Sequence, residues 1–353
     1  ALSFLVVSCP CALVISIPLG FFGGIGAASQ IGVLIKGSNY LEALSNINTI
    51  IFDKTGTLTE GVFEVIDISP INITKEQLID LVSLAEYYSN HPVAESIKRI
   101  SNKEVDKSRI GSIKEIEGQG IKAIIDDQEL LVGNDKLMLE NKIKYKKCKK
   151  VGTLLYVSLD KKYVGYILIS DKIKKDSPSA IESLRKLDIR NIIMLTGDKK
   201  EVGEYVGNQL GIDEVHTELL PDGKVKEMEK IMAQKEKNTK VAFVGDGIND
   251  APTLALSDIG IAMGGLGSDA AIEAADIVIM TDEPSKIAKS INISKKTMKI
   301  VKENIIFAIF VKIVVLLLSA IGVATMWEAV FADVGVSILA ILNSLRMLII
   351  KKD

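Results

Sequence analysis

The chemistry of this sequence converges on Asp53. That residue closes the apolar run Ile50-Ile51-Phe52 and opens the heptapeptide Asp53-Lys54-Thr55-Gly56-Thr57-Leu58-Thr59. A short apolar run bounded by turn-forming residues reads as a buried strand, and ligands of open α/β sheets bind at the carboxyl ends of the strands. A carboxylate in that position can attack phosphorus and form an aspartyl-phosphate. Three further loops offer partners. Thr196-Gly197-Asp198 follows the apolar run 192–195, Pro221-Asp222-Gly223-Lys224 precedes a helical pattern, and Gly245-Asp246-Gly247-Ile248-Asn249-Asp250-Ala251-Pro252 follows the run 241–244. Asp53 and Asp246 are expected to hold Mg²⁺ through hard oxygen ligands, with Asn249 and Asp250 supporting that site from behind. Thr196 and Lys224 are expected to hydrogen-bond or neutralise the oxygens of a transferring phosphoryl group, where positioning and electrostatics carry most of the catalysis.

A second constellation lies in apolar sequence. Residues 1–35 carry no charged side chain and 305–326 carry only Lys312. Each stretch is long enough for a hydrocarbon core of about 30 Å, which takes about 20 helical residues. Within the first, Ser8-Cys9-Pro10-Cys11 puts a proline where it cannot donate to the carbonyl of Val6, so the helix kinks or unwinds there. Irregular backbone at membrane depth is tolerated where it lines a cavity. Two thiols beside it are soft metal ligands, or else small hydrophobes of a membrane helix. The stretches 305–326 and 329–350 read as a helical hairpin turning at Met326-Trp327-Glu328, with Trp327 suited to an interface. Lys295, Lys296, Lys299 and Lys302 precede it, and Arg346, Lys351 and Lys352 end it, which places both ends on the cytoplasmic side with Lys36. Inside the hairpin, Lys312 and Asp333 are opposite charges at membrane depth, which marks a functional pair unless Lys312 snorkels and Asp333 lies near an interface.

The elements that must position these groups follow from periodicity. Apolar runs at 192–195, 241–244, 259–262 and 277–280 alternate with helical patterns such as 179–187 and 199–210, the mark of a parallel, doubly wound sheet. Residues 63–165 differ, mixing short β-type runs with an amphipathic helix near 75–100, and read as an α+β domain inserted into the α/β core. The expected organisation is a membrane helix over 1–36, an α/β domain over 37–62 and 166–290, the insertion over 63–165, and a membrane hairpin over 291–353. Forty-three basic against 45 acidic residues argue against a nucleic-acid partner. Three cysteines make no disulfide framework, and Cys148, within the lysine-rich run 142–150, reads as part of a solvated face. The first residue, Ala1, already lies inside an apolar run without a basic leader, so the sequence is expected to begin partway through a longer protein rather than with a signal peptide.

The heptapeptide resembles the phosphorylation motif of P-type ATPases, cation pumps built on the haloacid-dehalogenase fold. The Cys-Pro-Cys helix resembles the ion-binding helix of their heavy-metal subclass. Phe331-Ala332-Asp333-Val334-Gly335 resembles the Asp-x-Gly signature of the zinc, cadmium and lead branch. Glu86, His91-Pro92, Gly118-Gln119-Gly120 and Gly133-Asn134, weak one by one, together resemble the nucleotide-binding domain of these pumps. The resemblance implies ATP and Mg²⁺ as cofactors, with adenine and ribose near Glu86, His91, Gly118, Gly120, Gly133 and Asn134. It implies catalytic roles for Lys54, Thr55, Gly197, Asp198, Asn249 and Asp250 beside Asp53, Thr196 and Lys224, and a share in the Mg²⁺ site for Thr55 and Asp250 beside Asp53 and Asp246. Cys9, Cys11 and Asp333 are then ligands of a transported divalent ion (Zn²⁺, Cd²⁺ or Pb²⁺), with Lys312 as counter-charge. The implied protein is a multi-pass pump of the plasma membrane with cytoplasmic soluble domains. Phosphatases on this fold usually carry a second aspartate two residues after the nucleophile. Here that position is Thr55, so the aspartyl-phosphate is expected to persist, which favours a pump over a membrane-anchored phosphatase or an inactive truncated metal-binding membrane protein. No Thr-Gly-Glu actuator motif occurs in the sequence, so the N-terminal remainder of the same pump is an expected partner.

Overall fold

Runs such as Ile50–Phe52 and Val241–Val244 have no polar face, and they become strands of a sheet whose residues are buried on both sides. The computed structural model describes residues 11–89, 92–101, 105–148, 150–246, 250–264, 269–323 and 326–347. They divide into two units, one within Ala1–Leu58, Lys175–Asp198 and Gly207–Asp353, the other within Thr59–Lys174 and Lys199–Val206.

The first unit holds a seven-stranded sheet in the order Val33–Ile35, Ile277–Ile279, Ile259–Met263, Lys240–Gly245, Ile47–Asp53, Asn191–Leu195, Glu214–His216. All pairings are parallel except that of the Val33–Ile35 edge strand, which runs antiparallel to its neighbour. Register fixes the chemistry. Asp53 lies opposite Leu195 on one side and Phe52 opposite Val244 on the other, so three chains leave the sheet along one edge at Asp53, Thr196 and Asp246. Ile51, Ile193, Leu195, Val241 and Phe243 pack with Met228 and Leu254 from two covering helices.

Three apolar helices belong to the same unit: Cys11–Gln30, Ser285–Ala320 and Met326–Leu345. Among the described residues, Cys11–Gln30 is the one helix long and apolar enough to cross a membrane; Val330–Leu345 is a shorter apolar segment. Their packing uses small residues, as helix pairs without a hydrophobic driving force do. A β-carbon on Gly24 would lie 2.4 Å from Thr297 Oγ1 and 2.8 Å from Leu41. A buried amide stitches the three together. Asn304 donates to the Ala340 carbonyl at 3.1 Å and to Ser344 Oγ at 2.9 Å, Asn343 donates to Asn304 Oδ1 at 2.8 Å, and Ser344 donates to the Ser16 carbonyl at 3.1 Å.

The hairpin expected over 305–326 and 329–350 is therefore longer at its start and shifted at its end. Its first arm is the end of a 36-residue helix that begins at Ser285, because the lysine-bearing stretch before it also buries a face through Ile287, Ile291, Ser294 and Thr297. Apolarity alone marked only the segment that lacks charge. The arm stops at Ala320, just before Gly322 at φ +78°, and the second arm runs from Met326. The membrane helix expected over 1–36 ends at Gln30, because Val33–Ile35 leaves it to become the sheet's edge strand, and residues 1–10 lie outside the described residues.

The second unit is a six-stranded antiparallel sheet in the order Thr59–Pro70, Lys162–Ile173, Thr153–Leu159, Gln128–Gly133, Gly120–Ile125, Ile110–Ile116. The helices Lys75–Ala85 and Pro92–Ile100 pack on it through Leu78, Val82 and Ile97 against Ile125, Val157 and Ile167. A single helix near 75–100 was the expectation. Instead Ala85 ends one helix, and Pro92 opens another at the first position, where proline is tolerated. Boundaries at 63 and 165 would cut the two longest strands, which pair from Thr59↔Ile173 to Pro70↔Gly165.

Candidate active site

Asp53 ends its strand 5% exposed, and the next five residues form one wide turn, Lys54–Leu58. Within it Thr55 is extended and exposed, and Gly56 adopts φ +76°, ψ −21°. The glycine is required twice over. Its backbone is left-handed, and a β-carbon there would lie 1.6 Å from Asp246 Oδ2. The missing side chain is the space that the Asp246 carboxylate occupies. Asp53, Asp246 and Asp250 each contribute a carboxylate oxygen, and the three lie within 4.8 Å of one another.

Lys224 closes the cluster. Pro221 at the first position of the Pro221–Gln234 helix presets its entry, which leaves Lys224 in the first turn. A cation there opposes the helix dipole, and two carboxylates offset that cost. The ammonium donates to Asp53 Oδ1 at 2.5 Å and to Asp250 Oδ1 at 2.9 Å. Beside it, Lys54 pairs with Asp198 Oδ2 at 2.5 Å, and Thr196 Oγ1 accepts from the Asp198 amide at 3.1 Å. Gly197 links that threonine and aspartate, and a β-carbon on it would meet the Leu219 carbonyl at 3.1 Å. Asp250 is thus a member of the carboxylate cluster, not only a support behind it. It precedes the Ala251–Leu256 helix without using its side chain as a cap, so the carboxylate is available to Lys224. Asn249 lies outside the described residues.

Burial pushes the Asp53 carboxyl up to about 7, the neighbouring Asp250 charge adds to the shift, and Lys224 opposes it. For Lys224 itself burial favours the neutral amine, but Asp53 and Asp250 hold its pKa above the ordinary value. Three clustered carboxylates around one ammonium suit a small hard cation, and oxygen donors alone fit Mg²⁺ better than a soft ion.

The described residues among those expected near nucleotide lie in the second unit. Glu86 is buried at the end of the Lys75–Ala85 helix, and burial raises its pKa, partly opposed by a hydrogen bond from Ser89. Asn134 caps the Asp135–Glu140 helix by accepting from the Lys136 and Leu137 amides, and its side-chain amide donates to the Gly118 carbonyl at 2.8 Å. Gly120 and Gly133 face each other across paired strands, where a β-carbon on Gly133 would lie 2.2 Å from the Gln119 carbonyl. The structure therefore brings 118–120 and 133–134 together and gives Gly120 and Gly133 a packing reason of their own, whereas a β-carbon on Gly118 would meet nothing within 4 Å. His91 lies outside the described residues, as does Cys9. Cys11 is the first residue of its helix, and Lys312 Nζ stands 3.9 Å from Asp333 Oδ1 on the facing pair of helices.

Two features escaped sequence reasoning. The Lys54–Asp198 pair joins loops far apart in sequence, and nothing in either loop names the other. The Asn304 network sits among residues that register only as isolated polar groups in apolar helices.

The profile of the haloacid dehalogenase-like hydrolase family matches residues 47–258. The chain is 54% identical over 352 residues to the cadmium, zinc and cobalt-transporting ATPase of Bacillus subtilis, covering 99% of this chain and 50% of that protein. It is 49% identical over 348 residues to the zinc-transporting ATPase of Synechocystis, covering 98% and 48%. Among solved structures, a zinc-transporting PIB-type ATPase in its E2.Pi state superposes with a TM-score of 0.87 at 33% identity, over 98% of this chain and 57% of that one. The chain spans about half the length of the curated relatives it matches. A buried aspartate at a strand end, its lysine and its acidic partners are what such a family needs, and this chain belongs to the haloacid dehalogenase-like hydrolases, with metal-transporting P-type ATPases as its relatives along almost its whole length.

Proposed function

We propose that this chain is the phosphorylated and ion-binding part of an ATP-driven exporter of a divalent heavy-metal ion, Zn²⁺, Cd²⁺ or Pb²⁺. The observation that carries the reading is Asp53 itself, a buried carboxylate held by Lys224 and flanked by Asp246 and Asp250 at one sheet edge. A carboxylate oxygen of Asp53 attacks the γ-phosphorus of ATP, the bond to the bridging oxygen breaks, and ADP leaves with that electron pair. Lys224 then turns from the carboxylate to the phosphoryl oxygens, while Thr196 supplies a hydroxyl beside them. Asp53, Asp246 and Asp250, with Thr55, would hold Mg²⁺, which when bound would supply positive charge for the phosphoryl oxygens, and Asn249 is assigned a supporting role by the sequence alone. Lys54, paired with Asp198, keeps the Gly197 loop against the strand edge. Thr55 stands where a hydrolytic general base would be, so water is not activated and the aspartyl-phosphate persists.

The unit Thr59–Lys174 is the nucleotide-binding domain on this reading, with ATP near Glu86, His91, Gly118, Gly120, Gly133 and Asn134. The three apolar helices lie in the plasma membrane as part of a multi-pass protein whose soluble domains face the cytoplasm. Cys9, Cys11 and Asp333 bind the ion, and Lys312 competes for Asp333 when no ion is there. Soft thiolates with one carboxylate favour a borderline divalent ion over Cu(I). The relatives' names, which cite cadmium, zinc and cobalt, support this choice.

The test uses radiolabelled ATP with Mg²⁺, with and without Zn²⁺ or Cd²⁺. A metal-stimulated, hydroxylamine-labile label that disappears in Asp53→Asn is expected. A label that survives Asp53→Asn, or phosphate release from generic monoesters without any labelled protein, would refute it.

A further inference from the structure

The 36-residue helix Ser285–Ala320 carries a feature that ion transport does not use. A surface hollow of about 420 Å³ lies along it, lined by Lys295, Met298, Lys299, Lys302, Glu303 and Ile306. Ser45 and Asn46 form its far wall, and both direct their donors onto the Glu42 carbonyl. The cationic groups lining the hollow are the ammoniums of Lys295, Lys299 and Lys302. Lys295 is half-buried and anchored, donating to the Leu187 carbonyl at 2.6 Å. Lys299 and Lys302 are exposed. The one acidic wall residue, Glu303, is drawn toward Arg346 at 3.4 Å and Asn343 at 3.4 Å.

The helical stripe does not end at the lysines. Residues 295, 299, 302, 306, 309, 313 and 317 follow one another at three- and four-residue steps and so share a face. Past Lys302 that face turns wholly apolar and outward: Ile306, Ile309, Phe310, Ile313 and Leu317 are all exposed large hydrophobic residues. From Lys302 to Leu317 the rise is about 22 Å at about 1.5 Å per residue, enough to lie along most of one acyl chain. A basic hollow opening onto an apolar stripe of that length has the shape and polarity of a phospholipid with an anionic headgroup.

We propose that Lys295, Lys299 and Lys302 form a headgroup site for an anionic phospholipid, whose acyl chains lie against Ile306 to Leu317. The site rests on the reading of this helix as membrane-embedded. Juxtamembrane lysines attract anionic headgroups by about 1 kcal/mol each, and here all three are held at a fixed spacing by one helix. Bound there, the lipid ties the lysine-bearing end of the helix to the leaflet surface and fixes its depth.

The test reconstitutes the full chain in lipid discs of phosphatidylcholine doped with a spin-labelled phosphatidylglycerol or a spin-labelled phosphatidylcholine. The immobilised fraction of each label is then measured. Phosphatidylglycerol is expected to be immobilised severalfold more than phosphatidylcholine. The preference should fall to near parity in Lys299→Gln/Lys302→Gln, which removes two attractions of about 1 kcal/mol each before screening, and persist in Lys146→Gln/Lys147→Gln, which removes two charges from the other unit. Insertion without headgroup preference, or a preference untouched by the 299/302 variant, overturns the site and leaves the membrane reading standing. Failure to enter the discs overturns both. Displacement of the label by millimolar inorganic phosphate points to a soluble anion and overturns the lipid assignment.

Discussion

Replacing Gly56 with alanine tests the geometry of the proposed phosphorylation site directly. The new β-carbon would lie 1.6 Å from Asp246 Oδ2 and 2.5 Å from its carboxyl carbon, where ordinary contact begins at 3.4 Å. One of the two groups must therefore move by close to 2 Å, the difference between those contacts. The turn cannot absorb this freely, because φ +76° costs a residue with a side chain about 1–2 kcal/mol before any clash. The Asp246 carboxylate is the mobile partner, and it leaves the group formed with Asp53 and Asp250. Mg²⁺ demands near-octahedral geometry at about 2.0–2.1 Å, so a shift of this size would remove one of its proposed ligands outright. Mg²⁺ affinity should fall at least tenfold, on the order of 1.4 kcal/mol, as read by calorimetric titration of the folded protein. Gly211→Ala is the control. It sits at φ +69° with nothing within 4 Å, so it suffers the backbone strain without the clash, and Mg²⁺ binding should be unchanged. Gly56→Ala that folds and binds Mg²⁺ within twofold of the parent would show the reasoning to be wrong.

Three other outcomes follow from the same contacts. Asp53, whose carboxyl is pushed up to about 7, favours the folded state fully below about pH 4 and loses that contribution as pH rises through 7, a swing of about 4 kcal/mol for about three pH units. In chelator, thermal midpoints of the parent should therefore drop from pH 4.5 to 8 relative to Asp53→Asn, and parallel curves would refute it. Lys224→Met removes the ammonium from between Asp53 and Asp250 and should cut the phosphorylation rate on the order of 10²-fold or more, as loss of a charge-stabilising donor does, with nucleotide affinity, read by equilibrium binding, unchanged. Asn304→Leu removes the hydrogen bonds to the Ala340 carbonyl and Ser344 and the acceptor of the Asn343 amide, at about 1–3 kcal/mol. It should lower the melting point in detergent while leaving ATP binding intact.

What could be read without coordinates was whatever local sequence dictates. Apolar runs ending in Asp53, Leu195 and Gly245 announced parallel strands, and parallel strands deliver their carboxyl ends to one edge, so the meeting of three loops followed from topology. What could not be read were interactions set by register and by missing atoms. No spacing says that Gly56 makes room for Asp246, since residues 190 apart in sequence meet only when the strands align. Hydropathy located the charge-free part of the Ser285–Ala320 helix but not its length, because a helix continues as long as one face packs, and Ile287, Ile291 and Thr297 continue that face among lysines. Gly120 and Gly133 entered the reading only by resemblance to a nucleotide-binding domain, and neither sequence stretch reveals that each packs against the other's strand.

Two of the lysines that stand near carboxylates in the first unit, Lys224 and Lys312, illustrate one physical device at two strengths. Lys224 contacts Asp53 at 2.5 Å in a buried cluster, whereas Lys312 stands 3.9 Å from Asp333, at the outer limit of direct pairing. A carboxylate awaiting a multiply charged guest cannot be left buried without a cation, because an uncompensated buried charge costs several kcal/mol. Yet the cation must be able to let go. At Asp53 the incoming phosphoryl group is itself anionic, so Lys224 loses nothing by changing partners, and tight contact is compatible with turnover. At Asp333 the proposed guest is a cation that lysine repels, so a tight pair would exclude it. The looser separation keeps the carboxylate compensated while leaving it open to a better ligand. On that logic, strengthening the second pair should hinder ion binding, whereas strengthening the first should leave phosphorylation little changed.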